Sequence, residues 1–184
     1  MNGDRLPPIP EAELTPAQRK AAEELTRGPR GRLAGPFVPL LRSPELMARV
    51  QKVGEYLRFE SALPARVKEL AILLVARHWT QRYEWSFHVP LALEAGVARE
   101  TIEAIANARQ PPADLPRDEG IAHNFVHHLL VTGNVADGTY AAALETFGEA
   151  GVVELSAFAG YYLLLAMIMN AARTPAPDAE IPLP

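Results

Sequence analysis

Eight residues, Gln81-Arg82-Tyr83-Glu84-Trp85-Ser86-Phe87-His88, set a carboxylate and an imidazole four positions apart inside an apolar segment. On a helix that spacing is just over one turn, so the two side chains share a face. At about 100° per residue, Arg82, Ser86, Pro90 and Glu94 fall on one arc, which reads as the solvent side. Gln81, Glu84 and His88 fall on the opposite arc among Trp85, Leu91, Ala92 and Ala95. The acid and the imidazole therefore point where a core is expected. Upstream, Glu69 projects among Ile72, Leu73 and Ala76, while Arg66 and Arg77 align elsewhere. Only a few residues around Thr80 separate the two segments. That predicts an antiparallel helical hairpin, which brings Glu69 to the Glu84/His88 face.

Burial raises the pKa of a carboxyl group and lowers that of an imidazole. A carboxylate beside the ring opposes the second effect and selects one tautomer. A Glu–Glu–His cluster can therefore exchange protons near neutral pH. That suits proton transfer to or from carbon, worth about 10²–10⁴-fold in rate. On this reading Glu69, Glu84 and His88 are catalytic and Gln81 hydrogen-bonds substrate or water. Two alternatives stay open. Glu84 and His88 can be a helix-stabilising pair worth about 0.2–0.5 kcal/mol. Glu69, Glu84, His88 and one more histidine also have the composition of a divalent-metal site, although no fourth ligand is identifiable.

Trp79, Tyr83 and Trp85 either line a pocket for an apolar or aromatic ligand or pack in the core. Trp79 and Tyr83 are the two expected to touch substrate. His123, His127 and His128 in HNFVHH invite a metal reading. The wheel places His123 and His127 opposite the apolar face of Ile121, Phe125, Val126 and Leu129, with His128 at its boundary. No metal or other cofactor is therefore expected. His78, at a helix C-terminus, complements the helix dipole.

The elements that must position these groups are punctuated by proline and glycine. Residues 1–14 are Pro-rich and expected to be extended. Thr15-Pro16 caps a helix to about Gly28, and Ser43-Pro44-Glu45 caps another to about Phe59. Between them GPRGRLAGPFVPLLRSP reads as a loop whose Phe37, Val38, Leu40 and Leu41 pack on something, such as a pocket. Further helices are predicted from Pro64, from Gln81 to Ala95 with Gly96 as a left-handed stop, over 98–109, from Leu115 to Val131, from Asp137 to about Gly148, and over 151–172. The tail TPAPDAEIPLP is too Pro-rich for a helix or a central strand. No window alternates like a strand. The expectation is an all-α, single-domain bundle of about seven or eight helices over 15–172, flanked by segments 1–14 and 173–184.

The chain has 184 residues, net charge −4 with interspersed signs, and no cysteine. There is no basic face to suggest nucleic acid, and no disulfide, thiol nucleophile or zinc–thiolate chemistry. MNGDRLPPIPEAE lacks a signal-peptide core. The most apolar run, Leu155 to Met169, is 15 residues long, shorter than a comfortable bilayer span. A cytoplasmic protein with no membrane partner is expected. The same run is apolar on nearly every side, as in a central helix or one buried between subunits.

LPARVKELAILLVARHWTQRYEWSFHVPLALEAGVARETIEAIA, residues 63–106, resembles the carboxymuconolactone decarboxylase domain, whose all-α fold is shared with alkylhydroperoxidase D-like proteins. The peroxidase branch carries a glutamate, then a cysteine twelve residues on, then Cys-x-x-Cys-x-x-x-His. In that register the glutamate is Glu69, the cysteines are replaced by Gln81 and Glu84, and the histidine is His88. DGTYAAALETFGEAGVVELSAFAGYYLLLAMIMNAA is also similar to the Cys-less members, so the resemblance covers roughly 60–180. Without sulfur the thiol peroxidase cycle is excluded. What the resemblance implies instead is a decarboxylase-like lyase acting on a small organic acid or lactone, in a homo-oligomer of at least two copies. A non-catalytic oligomeric binding module is the alternative. The proton donor would be His88, assisted by Glu84 and Glu69. Arg42 and Arg58, beside the apolar loop, are candidates to hold the substrate's negative charge, against a plain solvent-facing reading of each.

Overall fold

The computed structural model describes residues 3–184. Among these residues the regular structure is entirely helical. A single 3-10 turn, Glu11–Glu13, precedes α1 (Pro16–Arg27), α2 (Phe37–Leu40), α3 (Pro44–Phe59), α4 (Ala65–His78), α5 (Arg82–Glu94), α6 (Arg99–Ala106), α7 (Arg117–Thr132) and α8 (Asp137–Ala172). Eight helices and an all-α architecture agree with the sequence reading.

The predicted boundaries hold to within a few residues, and their causes differ. Thr15 and Gln18 form a reciprocal capping box ahead of Pro16, satisfying two backbone donors. Ser43 occupies its N-cap position without a side-chain bond, so Pro44 and its fixed φ begin α3. Asp137 is the first residue of α8 rather than its cap, and its carboxylate faces the helix dipole instead. The loop before α3 contains one helical turn, α2, which buries Phe37 and Leu40.

The core is built around α4. Every residue from Leu70 to Ala76 is buried, a pattern that needs neighbours on all sides. α5, α7 and α8 supply them, with α6 closing one end. At about 1.5–3 kcal/mol per fully buried large aliphatic side chain, this run is the main anchor of the bundle. α8 is a flank rather than the centre. It buries Leu155, Phe158, Tyr162 and Leu165 while Val153, Leu164 and Met167 stay exposed. The apolar run belongs to a 36-residue helix that is long and apolar enough, by length and composition alone, to cross a bilayer, and half of its most apolar stretch is buried.

Polar ties fix the outer elements. Tyr56 and Ser61 both donate to Glu154, at 2.5 and 2.7 Å, joining α3 to α8. Arg66 of α4 reaches Asp118 at 2.5 Å and Glu119 at 3.4 Å on α7. The Pro-rich tail folds back, burying Ile181 and Leu183, and the Ile181 carbonyl accepts from the Trp85 indole at 2.6 Å.

α8 is broken at Gly148, where φ is 69° and ψ 177°. That combination is essentially restricted to glycine. It divides the helix where the sequence predicts one helix to end and another to begin. Gly148→Ala is expected to cost about 1–3 kcal/mol of stability, read as a lower midpoint in thermal unfolding.

Candidate functional site

α4 and α5 are joined by only Trp79, Thr80 and Gln81, and they pack as an antiparallel hairpin. The register sets Glu69, one turn into α4, beside His88, midway along α5. His88 Nδ1 lies 2.7 Å from Glu69 Oε2. An ionised Glu69 accepts from Nδ1–H and leaves Nε2 as the ring nitrogen open to a ligand. The ring is also held edge-on by Phe87 at 5.1 Å and Tyr162 at 5.3 Å between centroids.

His88 borders a cavity of about 340 Å³. Its walls come from five places. The loop between α1 and α2 contributes Arg30 and Arg32, and α2 contributes Phe37. Arg58 and Phe59 end α3. Tyr83, Glu84, Phe87 and His88 come from α5, and Tyr162 and Leu165 from α8. The loop thus covers a pocket, as its apolar content suggests.

Glu84 is 3% exposed, and neither carboxyl oxygen has a hydrogen-bond partner. Burial alone pushes its pKa well above the usual carboxylate range. It therefore borders the cavity as a neutral acid over a wider pH range than an exposed glutamate. The helix-stabilising Glu84–His88 pair does not form: His88 pairs with Glu69, and Glu84 is left free. Burial also pushes Tyr161 up to about 12 and Tyr162 further in the same direction, so both hydroxyls stay protonated.

Glu69, Glu84, His88, Tyr83 and Arg58 are brought together; the other expected site residues are not. Gln81 is the N-cap of α5. Its Oε1 accepts from the Tyr83 and Glu84 amides and its Nε2 donates to Asn170, so its polar atoms are used inside the protein. Trp79 is the C-cap of α4, away from the cavity, and its carbonyl accepts from Asn170. Arg42 donates to the carbonyls of Val38 and Pro7, which pins the N-terminal segment instead of facing the pocket. Trp85 is core. Ser86, on the expected solvent arc, is buried. Among the described residues no three His, Asp or Glu side chains are grouped to hold a metal ion. His123 and His127 stack on each other at 5.8 Å.

The sequence reading missed Arg30, Arg32, Phe87 and Tyr162. A loop that packs over a pocket carries its arginines there along with its apolar residues, and that is the signal for Arg30 and Arg32. Phe87 and Tyr162 carry no pattern distinguishing them from core aromatics.

Residues 44–122 match the carboxymuconolactone decarboxylase family model. The match starts earlier than the span from about 60 and does not reach α8. It contains Arg58, Glu69, Tyr83, Glu84 and His88, and it excludes the Arg30–Phe37 loop and Tyr162. No curated protein matches the chain.

In the unfolded chain Glu84 titrates in the ordinary carboxylate range, and in the fold it titrates higher. Between those two values the native state binds more protons than the unfolded state. Its contribution to stability is full below the ordinary range and is lost as pH rises through the raised value. Glu84→Gln is expected to flatten this decline and to raise the unfolding midpoint at pH 8 relative to the unsubstituted protein. Each kcal/mol recovered corresponds to about 2–4 °C in a domain of this size. Thermal unfolding of both proteins from pH 5 to 9 checks it.

Proposed function

From a chain that carries a carboxymuconolactone decarboxylase family domain across residues 44–122, we propose an acid–base enzyme that decarboxylates a small unsaturated organic acid or lactone without thiol chemistry. The observation that carries this reading is the part-buried His88–Glu69 bond at the edge of a cavity that is also lined by the unpartnered Glu84. In such a reaction the bond to the departing carboxylate breaks and CO₂ leaves. The electron pair passes into the conjugated carbonyl system, and a carbon accepts a proton. His88 delivers that proton from Nε2, while Glu69 holds the ring's tautomer and stabilises the imidazolium that must form beforehand. Glu84, kept neutral by burial, donates a hydrogen bond to the carbonyl oxygen that gains charge, a role a buried protonated carboxyl can fill.

His88→Ala is expected to lower turnover of the lactone acid that the wild-type protein accepts by about 10²–10⁴-fold. Glu84→Gln, which keeps the shape and one donor, should retain more activity. Candidate unsaturated lactone acids are followed by loss of their ultraviolet absorbance and by CO₂ release. Unchanged turnover in His88→Ala would remove the assigned role. Binding by the wild-type protein with no turnover of any candidate would favour a binding module.

We also propose that a second copy of the chain covers the apolar groove between α3 and α8, where Val53, Tyr56 and Val153 are exposed. Val153, at 68% exposure, is the most exposed of the three. Val153→Glu is expected to shift the mass measured by light scattering after gel filtration from dimer or larger to monomer.

A further inference from the structure

Three guanidinium groups, those of Arg30, Arg32 and Arg58, line the catalytic cavity, and none has an ionic partner among the described residues. Elsewhere the chain's cations are commonly paired: Arg19, Arg27, Arg49, Arg66, Arg99 and Arg117 each meet a carboxylate. The cavity's own carboxyl, Glu84, has no partner either, so it does not neutralise them.

Arg30 is the most constrained of the three. Its Nε and Nη2 are buried with no hydrogen-bond acceptor. Burial lowers its pKa, a sign that the cation is poorly solvated. An unmade bond to a buried charged donor is costly, so the site favours an acceptor. The side chain is held over the Phe37 ring, 4.7 Å from its centroid. It also lies against Gly54 of α3. A methyl group there would stand 2.5 Å from Arg30 Nη2 and 2.0 Å from the Tyr161 hydroxyl, so glycine is what lets the guanidinium and this phenol come in so close. The Tyr161 hydroxyl is buried and unpartnered too.

Arg58 lies 5.4 Å from the Phe59 ring centroid and 5.6 Å from that of Phe87, and Arg32 lies 6.0 Å from Phe87. Ring faces thus hold the guanidiniums, which leaves N–H groups of Arg32 and Arg58 for a ligand, together with Nη1 of Arg30, whose other two nitrogens are buried. Phe37, Phe59, Tyr83 and Phe87 make the remaining surface suited to a flat apolar body.

We infer that Arg30, from the loop outside the family-matched segment, is the principal anion-binding residue of the cavity, that Arg58 assists it, and that together they select a flat organic acid by its carboxylate. Tyr161 is a positioning residue that packs beside Arg30. The inference deepens the acid–base reading by naming how substrate is held, and it rests on the same cavity.

Benzoate and its neutral counterpart benzamide are suitable probes, measured by titration calorimetry with the full chain. Wild-type protein is expected to bind benzoate at least about tenfold more tightly than benzamide, the worth of one charge-assisted hydrogen bond. Arg30→Gln should lose that preference while leaving benzamide affinity unchanged. Arg30→Lys should recover part of it. Arg27→Gln, an exposed change on α1, should match wild type. Equal wild-type affinity for benzoate and benzamide would overturn the inference without any variant. So would an unchanged benzoate affinity in folded Arg30→Gln, and so would tighter binding of inorganic phosphate than of benzoate. His88→Gln should keep benzoate binding. Full turnover in that variant would sink the acid–base reading and leave the anion site standing.

Discussion

The bond between His88 Nδ1 and Glu69 is the constraint on which the site depends. It crosses the α4–α5 hairpin, so one contact reports the register of two helices and fixes the orientation of one ring. A slip by one residue on either helix rotates a side chain by about 100° and separates the pair. That register is held mostly by packing. The buried run Leu70–Ala76 locks α4 among its neighbours, and the Gln81 cap fixes where α5 starts. The polar contact at the site is therefore a consequence of an apolar anchor.

The cavity separates charges in an uncommon way. One carboxyl group is paired with the imidazole, burial pushes the pKa of a second well up, and three guanidiniums have no carboxylate within ion-pair distance among the described residues. Two glutamates fifteen positions apart in sequence are thus chemically different groups. Glu69 has a donor within bonding distance, and Glu84 has none. The difference is one of environment, since the side chains are identical.

The family-matched segment and the rest of the chain divide the work. Residues 44–122 supply the hairpin with Glu69, Glu84 and His88, together with Arg58. The preceding loop supplies Arg30, Arg32 and Phe37, and α8 supplies Tyr162 and Leu165. Closing the pocket thus requires elements outside the match. Both are held in place by ordinary means: α2 by burying Phe37 and Leu40, α8 by burying its aromatic face and by the bonds from Tyr56 and Ser61 to Glu154.

Local patterns made the helices legible. Thr15-Pro16, Pro64, Gly96 and Gly148 act on their own backbone, so their effects can be read without knowing what lies across the core. The convergence of Glu69, Glu84 and His88 was also legible, because a short connection leaves two adjacent helices few ways to pack. What lay beyond local reach was the fate of polar groups whose partners are distant in sequence. Gln81 is consumed by its own helix cap and by Asn170, Arg42 by Pro7, and Trp85 by Ile181. Arg30 and Arg58 look like any surface arginines until α3, α5 and the loop enclose them. The sequence determined which side chains could carry protons, since periodicity and spacing are properties of the chain itself. The tertiary structure decided which of them have partners and which cations face the cavity, since burial and pairing are properties of what surrounds them.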